Sequence, residues 1–163
     1  MFKSFAFFLA MFVITDALAF SEKELLGTWK LVTAVRKNVD GSQVKDAYGG
    51  PHPIGYINYG SDHRMMAMVE YDNRVRPARV DQTTPETRSQ LYSTTWAYGG
   101  TFEVNGNVIQ HHVDVSSNGA WTGTTVTRDI AYDGPRLVLT TRPQLSSDGQ
   151  MVILTLTWEK VAP

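Results

Sequence analysis

Cysteine does not occur in this 163-residue chain. Its absence removes disulfides, zinc–thiolate sites, iron–sulfur clusters and cysteine nucleophiles together. Charge of one sign is missing too: 15 basic residues face 16 acidic ones, a formal net charge of -1. Such a balance gives no hold on a phosphate backbone, so a nucleic-acid partner is disfavoured. The longest apolar run has about ten residues, half of the ~20 that a spanning helix needs, and no membrane anchor is expected. His52, His63, His111 and His112 never take His-x-His or His-x-x-x-His spacing, and neighbouring strand histidines diverge, so no metal site is expected. Gly-x-Ser-x-Gly, phosphate loops and dinucleotide fingerprints are absent as well. Most enzyme classes leave with them, and no cofactor is implied.

What is present begins with a processing signal. Residues 1–19 carry Lys3, an apolar core over residues 5–14 and the small-x-small pattern Ala17-Leu18-Ala19. That is the layout of a secretory signal peptide. The expected domain is residues 20–163, one unit of ordinary size that works outside the cytosol, secreted or periplasmic. Without cystines its stability must come from a large packed core, which suits a closed sheet.

From Gly27 onward the chain reads in period two. Trp29, Leu31, Thr33 and Val35 alternate with Thr28, Lys30, Val32 and Ala34. Strands are expected over residues 43–48, 54–59, 64–71, 101–104, 107–116, 122–132, 136–141 and 151–161, joined by turns such as Asp40-Gly41 and Asn105-Gly106. Thr84-Pro85-Glu86 opens one helix, with Thr as cap and Pro at the first position, and Gly99-Gly100 is read as its stop, giving residues 85–97. The fold expected is all-β: an up-and-down antiparallel barrel of about eight to nine strands, with one helix inserted before the fifth strand.

Several stretches then carry a family likeness. Leu26-Gly27-Thr28-Trp29-Lys30-Leu31 holds a Gly-x-Trp at the first strand. Pro53-Ile54-Gly55-Tyr56-Ile57-Asn58-Tyr59, Tyr98-Gly99-Gly100-Thr101-Phe102-Glu103-Val104, His111-His112-Val113, Trp121-Thr122-Gly123-Thr124-Thr125 and Leu156-Thr157-Trp158-Glu159-Lys160 follow in order. The series resembles the lipocalin-like domain family of bacteria and fungi over nearly all of residues 25–161. The resemblance implies a barrel with a lipophilic cavity and transfers no catalytic mechanism. Lipocalins commonly stack a late Arg on the first-strand Trp; here Lys160 takes that place and offers a cation–π contact instead.

Side-chain parity points to the interior. With a two-residue turn at Asn105-Gly106, Phe102 faces Ile109 and Gly100 faces His111, so Phe102, Val104, Ile109, His111, Val113 and Val115 share the inner face. Arg128 shares a face with Val126, Ile130 and Tyr132 and points inward too. A buried guanidinium needs an acceptor. Either an internal acid supplies it, with Glu70 available if the Met66/Met68 face is inside, or a ligand carboxylate or enolate does. Met65, Ala67 and Val69 fit the inside equally well. His111 is first a hydrogen-bonded core residue and second a base; Tyr56, Trp96, Tyr98 and Trp121 are core or rim packing that also walls lipophilic pockets.

Two functions follow. The first is a secreted protein binding a small lipophilic molecule, with His111, Arg128, Phe102, Ile109, Val113, Tyr56, Trp96, Tyr98 and Trp121 around it. The alternative is a cofactor-free isomerase or cyclase of a polyketide- or terpenoid-like metabolite, with His111 as base and Arg128 stabilising the oxyanion.

Overall fold

A computed structural model of the protein describes residues 20–146 and 148–162. The signal reading of residues 1–19 lies outside them. The alternating pattern becomes ten strands: β1 (Gly27–Asn38), β2 (Val44–Asp46), β3 (Ile54–Tyr59), β4 (Arg64–Glu70), β5 (Thr95–Asn105), β6 (Val108–Ser116), β7 (Thr125–Asp133), β8 (Arg136–Thr141), β9 (Gln144–Leu145) and β10 (Met151–Lys160). Two helices accompany them, α1 (Glu22–Leu25) and α2 (Pro85–Ser93).

Every pairing is antiparallel between neighbours, and β1 also pairs with β10, so eight strands close into a barrel. β2 and β9 are short additions on β1 and β10. One end is sealed. Leu25 is fully buried there, the Trp29 indole N–H donates to its carbonyl (2.8 Å), and Lys160 Nζ lies 5.1 Å from the Trp29 ring centroid. The cation–π contact expected in place of a stacked arginine is therefore formed.

Helix α2 stands before the fifth strand, as read from its cap: the Thr84 side chain accepts from the Thr87 N–H at 3.2 Å. Its far end differs from expectation. Thr95, Trp96 and Ala97 pair with Glu70, Val69 and Met68 and open β5, because β-branched and aromatic side chains fit a ladder better than a third helical turn. Gly99 and Gly100 therefore lie inside a strand. A Cβ on Gly100 would collide with the His112 carbonyl oxygen, so glycine there permits the close approach of β5 and β6.

Two bulges re-aim side chains. Between Leu31 and Thr33 the β1–β10 register slips; Trp29 and Leu31 face in, and after the slip Ala34, Arg36 and Asn38 turn inward while Thr33 and Val35 turn out. Between Gly99 and Gly100 the β5–β6 register slips at Asp114. Val115, expected inside, is 60% exposed as a result. The hairpin itself turns on Gly106-Asn107, one residue later than read. Phe102 thus faces His111 and Val104 faces Ile109. The shift moves the pairing by an even number of residues, so the inner face of Phe102, Val104, Ile109, His111 and Val113 is retained.

Candidate ligand site in the barrel

The interior is divided by depth. Toward the sealed end, Trp29, Tyr59, Met65, Phe102, Ile109, His111 and Leu137 fill the barrel solidly. Toward the other end lies an open cavity of about 1430 Å³, larger than the ~300–1,000 Å³ of ordinary ligand pockets. Aliphatic side chains of Ile57, Val69, Leu139 and Leu156 wall it. Tyr92 and Ser93 from the last turn of α2 reach its rim.

The apolar and aromatic residues expected at a pocket sort into three groups. Trp96, Tyr98 and Trp121 all line the cavity. Trp96 meets Trp121 nearly edge to face (73°), and Tyr98 packs against the same indole at 5.9 Å. Trp121 is held by the turn Gly119–Trp121, which Asn118 caps through its side-chain oxygen (3.1 Å to the Ala120 N–H). Phe102, Ile109 and Val113 are inward and buried but belong to the packed part, outside the cavity lining. Tyr56, expected at the pocket, lies outside the lining of this cavity: it points outward, 47% exposed, beside Met66 and Met68. The pairing of β3 with β4 puts Ile57, Tyr59, Met65, Ala67 and Val69 inside instead.

His111 has no exposed surface. Its Nε2 lies 2.9 Å from the Tyr59 hydroxyl and its Nδ1 2.9 Å from the Tyr98 hydroxyl. Burial, then the nearby Arg128 charge, pushes its pKa well below the ordinary imidazole value, so the ring is neutral. Both nitrogens are engaged and neither lines the cavity. A base in contact with substrate needs the opposite on each count. His111 is a core residue that positions Tyr98.

Arg128 does line the cavity and is 7% exposed. Glu70 is not its partner, since that carboxylate sits with Arg74 (3.6 Å) and Arg76 (3.4 Å). The only hydrogen bond of the Arg128 guanidinium among the described residues runs from Nη2 to the Tyr98 hydroxyl at 3.4 Å; Nε and Nη1 have none. Burial works against the charge, yet the surrounding phenols of Tyr98, Tyr48 and Tyr59 outweigh it and raise the guanidinium pKa. Tyr48 lines the cavity as well, its hydroxyl pushed up to about 12 by burial.

Sequence reasoning passed over Tyr48, Tyr59 and Trp158. For Trp158 the signal was available, because Val152, Leu154, Leu156 and Trp158 share one parity of β10 and all four line the cavity. For Tyr59 the signal was weak, since the outer face of β3 carries Ile54 and Tyr56 beside Asn58.

Among curated proteins, none matches this chain. The family model of the lipocalin-like domain matches residues 26–161, the same span that forms the closed eight-stranded barrel, and the chain belongs to the lipocalin-like domain family.

Proposed function

We propose that the protein binds a small lipophilic molecule inside the barrel. The observation that carries this reading is the cavity itself: about 1430 Å³, open at the α2 end and walled by aliphatic and indole side chains. Burying apolar ligand surface against such a wall is favourable by roughly 25 cal/mol per Å² before the costs of immobilisation. The same reading makes the protein a secreted or periplasmic carrier, on the strength of the charged, apolar and small-residue pattern of residues 1–19. Proteolytic maturation to a chain beginning at Phe20 is the expected sign of export, read by intact mass.

Titration with the neutral probe Nile red tests binding. Saturable enhancement with one site per chain is expected, together with quenching of tryptophan emission, since Trp96, Trp121 and Trp158 line the cavity. Substituting Leu139→Trp, which fills the cavity from β8, is expected to weaken binding about tenfold or more. A probe response that never saturates refutes the reading.

A further inference from the structure

Which polar group the ligand carries can be read from the hydrogen bonds that the cavity leaves unmade. Three buried side chains lining it, Arg128, Arg36 and Trp158, have nitrogen atoms without a partner among the described residues: Arg128 Nε and Nη1, Arg36 Nε and Trp158 Nε1. All are donors. Among the described residues the one orphaned buried side-chain acceptor, Asn38 Oδ1, lies off the cavity.

Tyr98 adds another donor, through the direction of its hydrogen bonds. The Tyr59 hydroxyl has a single partner among the described residues, His111 Nε2. A buried hydroxyl hydrogen needs an acceptor, so Tyr59 donates to Nε2. Neutral imidazole has one N–H, which is then on Nδ1 and donates to the Tyr98 oxygen. That oxygen also accepts from Arg128 Nη2. With both lone pairs of Tyr98 occupied, its own O–H is left as a donor without a partner among the described residues, on a residue that lines the cavity. Charge agrees in sign. Of the four cationic side chains lining the cavity, Arg36 is paired with Asp148 (2.6 Å) and Arg142 with Asp129 (2.7 Å), which leaves Lys45 and Arg128 against the one lining carboxylate, Asp46.

We propose that the ligand is a lipophilic carboxylic acid, bound as its carboxylate between the unpartnered N–H groups of Arg128 and the Tyr98 hydroxyl. Its apolar part runs toward the mouth along Trp96 and Trp121. This rests on the proposed function and adds the class of ligand. The carboxylate supplies the counter-charge that no described side chain gives Arg128, and guanidinium geometry suits a planar carboxylate held through two N–H groups. His111 and Tyr59 act behind Tyr98 as positioning residues.

The test compares acids with alcohols of matched shape, 1-pyrenebutyrate with 1-pyrenebutanol and hexadecanoate with hexadecanol, by displacement of Nile red from the full protein. About tenfold or tighter binding of each acid is expected. Arg128→Met is expected to bring acid and alcohol to equal affinity while alcohol binding persists, which also reports that the variant is folded. Tyr98→Phe is expected to narrow the preference without abolishing it. Equal binding of acid and alcohol by the unaltered protein overturns the proposal and leaves the carrier reading standing. So does an acid preference that survives Arg128→Met. Failure of Nile red and all four compounds to bind saturably overturns the carrier reading, and this one with it.

Discussion

Lowering the pH should destabilise this barrel through one residue, and the size of the effect follows from His111. In the unfolded chain its imidazole titrates near the ordinary value of 6.5. In the folded barrel it is fully buried between two phenols and its pKa is depressed, so it stays neutral. Below pH 6.5 the unfolded state therefore binds a proton that the native state refuses. Stability from this source is complete above pH 6.5 and falls as the pH drops toward the folded pKa, by about 1.4 kcal/mol per pH unit. Between pH 7.5 and pH 5.0 the loss is at most about 2 kcal/mol, the limit that the unfolded value alone sets. With a urea m-value of about 2 kcal/mol/M, that moves the unfolding midpoint by at most about 1 M. The assay is urea unfolding of the native sequence and of His111→Gln at half-unit pH steps. His52, His63 and His112 are common to both proteins and drop out of the difference. Stability of the two should converge as the pH falls. If their midpoints run parallel across the range, the imidazole is not held neutral by its burial, and the donor assignment at Tyr98 falls too.

Other substitutions probe separate parts of the fold. Arg128→Met removes a buried charge that has no carboxylate, so stability should rise by about 1–3 kcal/mol in urea unfolding; a loss of that size instead marks Arg128 as a structural group. Gly100→Ala drives a Cβ into the His112 carbonyl, and a loss of more than about 3 kcal/mol, or failure to fold, is expected by near-ultraviolet circular dichroism. Lys160→Ala removes the cation above Trp29 and the bond from Nζ to the Glu24 carbonyl (3.1 Å). The expected cost is about 0.5–1 kcal/mol, read as a lowered melting temperature, and Lys160→Arg should restore it.

The barrel, the place of its helix and the inward aim of His111 and Arg128 were legible because period-two patterning reports which face a residue occupies. Phe102, Ile109 and Val126 betray the inner side of β5, β6 and β7 by contrast with Glu103, Gln110 and Thr127. Where apolar side chains populate both faces that contrast weakens. In β3 and β4, Tyr56 and Met66 look as interior as Tyr59 and Met65 despite Asn58, Arg64 and Glu70 on the outer faces, and the strand pairing decides between them. Bulges defeat parity differently. The slip after Leu31 sends Arg36 to the cavity and Val35 to the surface, and no local residue type announces it. Depth is the third thing parity lacks. His111 and Arg128 are both inward, yet one is packed behind Tyr98 and the other lines open space, a difference that alternation along a single strand does not report.

The two short outer strands have a consequence for life at high concentration. At the mouth, β1 and β10 run on beyond β3 and β8 and would present bare backbone to any passing chain. β2 occupies that edge at Val35–Lys37 and β9 does so at Met151 and Val152. Being three and two residues long, each is too brief to serve as a template in turn, and Lys45 and Asp46 add charge at the margin. A barrel with an open rim is thereby kept from knitting itself to its neighbours.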